Sequence, residues 1–116
     1  MKTEAIERTL DPQKIAFITC VNSEDWYSEC RLYLESLELP EGMTAEYLPI
    51  RGAASMCAGY NEGMMASDAK YKVYLHQDTL VVNKHLVRDL RALFADESIG
   101  LVGVIGSRSL PRSGVW

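Results

Sequence analysis

The sequence predicts a three-layer α/β domain in which a mostly parallel sheet is covered by helices on both faces. Two observations lead to this fold class. Short apolar segments rich in β-forming residues alternate with amphipathic helical segments, an order typical of parallel sheets with helical crossovers. The 116 residues, 47% of them hydrophobic, are enough for one core and too few for two ordinary domains. We therefore assign a polar N-terminal extension at residues 1–13 and a single domain at residues 14–116.

The first strand is predicted at Lys14–Val21, where the sequence KIAFITCV indicates burial on both faces. Asn22 or Ser23 can then cap a helix whose first turn carries Glu24 and Asp25. The apolar side chains of this helix recur at helical spacing: Trp26, Tyr27, Cys30, Leu34 and Leu37.

A second strand is predicted at Ala45–Ile50, and a second helix at about Met56–Asp68. This helix contains Gly59 and Gly63, although a glycine inside a helix costs about 1 kcal/mol relative to alanine. We expect the glycines to mark a close approach of the helix to the sheet or to a ligand. The methionines are expected to fill gaps in the core: Met43, Met56, Met64 and Met65.

The third strand is predicted at Lys72–His76, followed by a helix at Lys84–Ala95 that Asn83 caps. Ile99–Ile105 is the predicted fourth strand. Parallel strands end at one edge of a sheet, and ligands of open α/β sheets bind outside these carboxyl ends. The residues that follow each strand are therefore the candidates for a binding site.

Composition and charge exclude several functional classes. The sequence has 12 Lys and Arg residues, fewer than its 16 Asp and Glu residues, and it contains no basic run. Nucleic-acid binding is therefore not expected. No apolar stretch reaches the roughly 20 residues of a membrane helix, and Met1–Gln13 does not resemble a signal peptide, so a cytoplasmic protein is expected. The widely spaced Cys20, Cys30 and Cys57 are expected to be free, mostly buried thiols.

The segment after the first strand lacks the usual dinucleotide signatures. Asn22–Asp25 contains neither a GxGxxG turn nor a P-loop. Glu24 and Asp25 would also occupy the positive end of the helix dipole and repel a pyrophosphate there. A bound diphosphate would therefore need another cation.

His76-Gln77-Asp78, at the end of the third strand, could hold that cation. Residues i and i+2 of an extended segment point to one side, so the His76 imidazole and the Asp78 carboxylate would face together. Metals that act on nucleotides are usually held by one or two carboxylates and the phosphates, and an imidazole favours Mn²⁺ over Mg²⁺. Alternatively, Asp78 caps the turn before Thr79, and His76 is a hydrogen-bonded residue at the edge of the core.

The stretch from Arg51 to Asp78, RGAASMCAGYNEGMMASDAKYKVYLHQD, resembles the nucleotide-binding half of family 2 glycosyltransferases of the GT-A fold. In that family a small-residue helix with an asparagine precedes a strand that ends in an Asp-x-Asp-like motif. KIAFITCVNSEDWYSECRLYLESL is similar to the family's first strand and helix, and the resemblance covers about Lys14–Arg108. His76 stands where the first aspartate is usual, which resembles the HQD variant of one subgroup. The resemblance implies a Rossmann-like domain of GT-A type.

The resemblance also implies roles for individual residues. The implied nucleotide-binding residues are Cys20, Val21, Asn22, Arg51, Asn61, Gln77 and Asp78. The base would lie near the first three, and the ribose and diphosphate near Asn61. Asp78 and His76 would hold a divalent metal, Mn²⁺ or Mg²⁺. Other interpretations stay open, because Asn22 can be a helix cap, Arg51 a solvated turn residue and Asn61 a surface residue.

The implied activity is inverting transfer from a nucleotide-diphosphate sugar, and a UDP-type sugar is the expected donor. The alternative is a non-catalytic α/β nucleotide-binding or regulatory module. In the resembled family, the catalytic base and the acceptor site follow the Asp-x-Asp-like motif. We expect residues 79–116 to be too few to supply them, so the domain would be truncated, and we assign no catalytic residue. Free sheet edges and the apolar Val115-Trp116 would favour a homodimer.

Overall fold

The computed structural model describes residues 9–103. Strands and helices alternate in the order β1 Asp11–Val21, α1 Glu24–Glu35, β2 Thr44–Arg51, α2 Met56–Ala66, β3 Ala69–His76 and α3 Leu86–Phe94. The three strands form a parallel sheet in the order β2-β1-β3. The predicted α/β class with a parallel sheet is therefore confirmed.

The central strand β1 is buried on both faces. The run from Ile15 to Thr19 is at most 1% exposed, as the apolar sequence predicts. On one face, Ile15 and Phe17 pack in a cluster with Cys30 of α1 and Val87 of α3. The predicted apolar stripe of α1 is buried apart from Trp26, which is 56% exposed. One helical layer of the domain thus consists of α1 and α3.

The helix α2 covers the opposite face of the sheet. Ala16 and Ile18 point to this face, where Gly59 and Gly63 of α2 lie against β1. A Cβ atom added at Gly63 would overlap the side chain of Ile18, and one added at Gly59 would lie 2.5 Å from Cys20 Sγ. The predicted close approach of this helix is confirmed, and its neighbour is the sheet.

The expectation that the methionines fill the core is correct only for Met43, which is buried. Met56, Met64 and Met65 of α2 are exposed, with 53% of Met65 accessible to solvent. The reason is that α2 packs on the sheet through its glycines, so its larger apolar side chains occupy the other sides of the helix. These methionines therefore form part of the surface of the described domain.

The predicted fourth strand, Ile99–Ile105, is not formed over residues 99–103, and its last two residues lie outside the described range. After α3 the chain makes a turn in which the backbone N–H of Ile99 donates to the carbonyl of Asp96 at 3.0 Å. Leu101 is then 86% exposed. A strand needs a partner and a covered face, and no strand of the described range pairs with residues 99–103. Within the described residues, the outer edge of β3 is consequently free.

Two expectations from composition can be compared with the described residues. No helix among them is both long enough and apolar enough to cross a membrane. All three cysteines are free. Cys30 is buried and Cys20 half-buried, but Cys57 is exposed on α2, so the expectation of mostly buried thiols is wrong for that residue.

Replacement of Gly63 should show how closely α2 packs on β1. Gly63→Ala would favour the isolated helix, but the new methyl group has no room beside the fully buried Ile18. We expect the free energy of unfolding, measured by urea denaturation, to fall by about 1–3 kcal/mol. Gly100→Ala, where no atom lies within 4 Å of the added Cβ, should change it by less than about 0.5 kcal/mol. A more stable Gly63→Ala variant would contradict this packing.

Candidate functional site

The candidate site is the edge where the three strands end together. In the register of the sheet, Cys20 of β1 lies opposite Ile50 of β2 and His76 of β3. Val21 lies opposite Arg51. The segments that follow the strands, which the sequence singles out, therefore meet at one edge.

Gln77 connects two of these segments. Its Oε1 accepts hydrogen bonds from the backbone N–H groups of Asn22 and Ser23, each at 3.0 Å. Its Nε2 donates to Asn22 Oδ1. The side chain thus ties the end of β3 to the turn between β1 and α1, 55 residues apart in sequence at Asn22. Gln77 and Asn22, both implied nucleotide-binding residues, are in direct contact.

Ser23, not Asn22, caps α1. Ser23 Oγ accepts the backbone N–H of Trp26 at 3.4 Å. Asn22 precedes the cap, and its side chain is exposed and bound to Gln77. Of the two caps that the sequence allows, the structure therefore selects Ser23, and the amide of Asn22 has no capping role.

Arg51 forms an ion pair across the edge with Glu24. Its Nε lies 2.5 Å from Glu24 Oε1 and its second guanidinium nitrogen 3.0 Å from Oε2. The guanidinium also lies 6.0 Å from the centre of the Tyr27 ring. The hydrogen bond from Arg51 lowers the pKa of Glu24. Arg51 is thus an ion-paired residue, and a phosphate would have to compete with Glu24 for it.

A shallow groove of about 400 Å³ lies beside this ion pair. Its lining residues are Glu24, Tyr27, Ser28, Arg31, Leu32, Glu35 and Arg51. Of the implied nucleotide-binding residues only Arg51 belongs to it. The groove follows the surface of α1, and neither the Asn22–Gln77 contact nor Asp78 contributes to its walls.

His76 and Asp78 are both exposed at the end of β3. The turn here is closed by the backbone, since the N–H of Thr79 donates to the carbonyl of His76 at 3.0 Å. The Asp78 carboxylate accepts no hydrogen bond within residues 9–103, so the interpretation of Asp78 as a turn cap is not supported. Burial raises the pKa of the Cys30 thiol, and the negative charge of Asp78 raises it further by a smaller amount.

The donor set at this point is small. Among residues 9–103 there is no group of three or more His, Cys, Asp or Glu side chains that could hold a metal ion. A carboxylate and an imidazole at the end of β3 fit a divalent cation only if the other ligands come from a bound phosphate and water. The residues therefore suit a metal that arrives with a nucleotide rather than a metal held by the protein alone.

The remaining implied residues differ in accessibility. Val21 is only 7% exposed, so a ligand at the edge could reach its backbone rather than its side chain. The half-buried Cys20 has its Sγ 3.8 Å from the carbonyl oxygen of Met56, and burial raises the pKa of its thiol. Asn61 is exposed on α2, and its side chain makes no hydrogen bond within the described part of the chain.

Sequence reasoning missed the ion pair between Glu24 and Arg51. A signal was nevertheless present: an acidic residue starts the helix after β1, and a basic residue ends β2. In a parallel sheet these positions share one edge. From these opposite charges, an ion pair at the carboxyl edge of the sheet could have been predicted.

A protein-family model described as a glycosyltransferase-like family matches residues 16–116. Comparison with curated proteins and with solved structures gives no match. The matched range includes β1 from Ala16 onward and every residue of the carboxyl edge described above.

The ion pair at the edge should be visible in the titration of Glu24. Because its pKa is lowered in the folded protein, the contribution of the pair to stability is present above the unfolded-state pKa and is lost as the pH falls through the folded-state pKa. We expect Arg51→Ala to raise the Glu24 pKa, measured by NMR titration of the side-chain carboxyl carbon. Arg31→Ala, which removes the separate pair with Glu35, should leave it unchanged. An unchanged Glu24 pKa in Arg51→Ala would contradict the pairing.

Proposed function

The chain belongs to the glycosyltransferase-like family, and from this premise we propose that it binds a nucleotide-diphosphate sugar at the carboxyl edge of its sheet. This membership agrees with the sequence resemblance to family 2 glycosyltransferases, while the HQD subgroup stays a prediction. The observation that carries the proposal is the Gln77 contact, which joins the predicted base-binding turn at Asn22 to the predicted metal-binding end of β3. A UDP-type sugar is the donor we propose.

The charges at the edge support a divalent metal, Mn²⁺ or Mg²⁺, as part of this complex. Glu24, Asp25 and Asp78 place carboxylates near the strand ends, and the guanidinium of Arg51 is paired with Glu24. A diphosphate entering this edge would meet mostly negative charge. Asp78, together with His76, would hold the metal that balances the diphosphate.

Each residue of the edge then has a defined part. The amide of Asn22 and the backbone at Cys20 and Val21 would contact the base. Asp78 and His76 would orient the diphosphate through the metal, which when bound supplies charge stabilisation of the leaving diphosphate. The reaction we propose for the family function is displacement at the anomeric carbon with inversion, and no residue of this chain is assigned as its general base.

Replacement of Asp78 tests the proposed site. We expect Asp78→Ala to weaken UDP binding in Mn²⁺ at least about tenfold, and to leave the weak binding in EDTA nearly unchanged, because the metal contribution is lost. Isothermal titration calorimetry would measure both. Asp25→Ala removes an exposed acid at the same end of the sheet that is not proposed to bind metal, and should not weaken binding. Equal affinity of the wild type and Asp78→Ala in Mn²⁺ would show that the site is misassigned.

Replacement of His76 by aspartate separates a ligand from a structural role. His76→Asp supplies an oxygen donor that Mg²⁺ accepts more readily than imidazole. We expect UDP binding to persist and the preference for Mn²⁺ over Mg²⁺ to decrease, as measured by calorimetry with each metal. Loss of binding with both metals would instead indicate that the imidazole is needed for the structure of the edge.

We also propose that the chain forms a homodimer. A cytoplasmic location stays a prediction from the sequence. Within residues 9–103 the outer edges of β2 and β3 have no partner strand, and Met56 and Met65 are exposed on α2. Free edges and apolar surface both favour association. Sedimentation velocity should therefore show dimers at about 100 μM, within the concentration range in which such surfaces associate. A single monomeric species at that concentration would exclude the homodimer.

A further inference from the structure

Resting on the proposed function, we propose that Gln77 fixes the orientation of the Asn22 amide so that Asn22 selects the base of the nucleotide. In this orientation Asn22 offers N–H donors to the ligand. It would therefore favour a base with a carbonyl oxygen at the contacted position, as in uracil, over a base with an amino group there, as in cytosine. Gln77 is a positioning residue in this arrangement, and Asn22 determines specificity.

The orientation of the Gln77 amide follows from its backbone partners. Two backbone N–H groups, those of Asn22 and Ser23, point at the same side-chain atom at 3.0 Å. A backbone N–H can only donate, so this atom must be the amide oxygen, which has two lone pairs to accept them. The amide nitrogen of Gln77 is consequently directed to its remaining partner.

That partner is the side-chain oxygen of Asn22, which accepts from Gln77 Nε2. The Asn22 amide therefore uses its oxygen toward the protein. Its nitrogen, Nδ2, makes no hydrogen bond within the described residues, and the Asn22 side chain is exposed at the carboxyl edge. Since Ser23 supplies the cap of α1, the Asn22 amide is available to a ligand through its N–H donors.

A reversed Asn22 amide would lose this arrangement. If Asn22 alone turned over, its nitrogen would face Gln77 Nε2, and two donors would oppose each other. If both amides turned over, Gln77 Nε2 would face the two backbone N–H groups. Either change leaves donors unpaired, which costs more than an ordinary hydrogen bond contributes. The polarity of the Asn22 amide, by which we mean that its oxygen faces Gln77 and its nitrogen faces the ligand, is thus set by the backbone N–H groups of Asn22 and Ser23.

This polarity discriminates between bases that differ in one group. Uracil carries a carbonyl oxygen where cytosine carries an amino group, and only the carbonyl can accept from Asn22 Nδ2. A site built from fixed donors rejects a ligand that also presents a donor, because neither group is then paired. Guanine and adenine differ in the same way at their exocyclic position, so the shared chemistry is a keto base.

The first experiment compares matched nucleotides on the wild-type chain in Mn²⁺. We expect UDP to bind about tenfold more tightly than CDP, the ratio that one net hydrogen bond of typical strength produces. The pair GDP and ADP, measured in the same way by calorimetry, separates a uracil site from a purine keto site. Equal affinities for UDP and CDP, and for GDP and ADP, would overturn the inference about Asn22.

Two variants test the polarity independently. In Gln77→Glu the carboxylate can still accept both backbone N–H groups, but it can no longer donate to Asn22, whose amide should turn its nitrogen toward the glutamate and its oxygen toward the ligand. In Asn22→Asp the second carboxylate oxygen faces the ligand directly. We expect both variants to reverse the preference, so that CDP binds more tightly than UDP. If one variant fails to fold, the other still tests the reversal.

Both variants add a negative charge, so the ratio of the two affinities is the quantity to compare. Gln13→Glu adds the same charge at an exposed position near the start of β1, away from the carboxyl edge, and should leave the ratio of UDP to CDP as in the wild type. A UDP preference retained in Gln77→Glu and Asn22→Asp would overturn the positioning role of Gln77. Failure of every nucleotide to bind the wild type in Mn²⁺ would instead overturn the proposed function itself, and this inference with it.

Discussion

The burial of β1 on all sides is the constraint on which the rest of the structure depends. The strand has a parallel neighbour on each edge, α1 and α3 on one face, and α2 on the other. Its residues from Ile15 to Thr19 leave almost no surface for water. Ile15 and Phe17 face α1 and α3, whereas Ala16 and Ile18 face α2. Because a slip of one residue would exchange these two faces, the register of the sheet is fixed. The level at which the three strands end is fixed with it.

The second consequence of this burial is the composition of α2. A helix that lies directly on the small and branched side chains of β1 has no room for Cβ atoms at Gly59 and Gly63. Each glycine weakens the helix by about 1 kcal/mol relative to alanine, and the packing of α2 on the sheet must offset this loss. The apolar residues of α2 are then left outside the contact, which explains why Met56 and Met65 are exposed.

The sequence was sufficient for the elements that depend on local pattern. β1 was predicted at Lys14–Val21 and extends further, to Asp11, because β3 pairs with it at Ala69 after an irregularity in the register. The fourth strand over residues 99–103 and the burial of Met56, Met64 and Met65 were predicted wrongly for one physical reason: an apolar residue in the sequence does not reveal whether a partner is available to cover it. Apolar pattern predicts what could be buried, and packing decides what is.

The contacts of the candidate site were beyond such reasoning because they are long-range. Local sequence allowed both Asn22 and Ser23 as the cap of α1. The structure gives the cap to Ser23 and binds the Asn22 side chain to Gln77, 55 residues away in sequence. Likewise Arg51 meets Glu24 across 27 residues. The topology places these residues at one edge, and for Glu24 and Arg51 the opposite charges favour a contact. Nothing in the local sequence indicates that Gln77 binds the turn at Asn22.

The ion pair of Arg51 also decides how a diphosphate could be accommodated. A free guanidinium at the end of β2 could bind phosphate by itself, whereas here it is engaged in two hydrogen bonds with the carboxylate of Glu24. A diphosphate that displaced Glu24 would leave that carboxylate beside its own negative charge. Asp78 offers an alternative, since its carboxylate has no hydrogen-bond partner within residues 9–103 and is exposed just after the end of β3. A metal bound there would supply positive charge to the diphosphate, because the charge of Arg51 is already neutralised by Glu24.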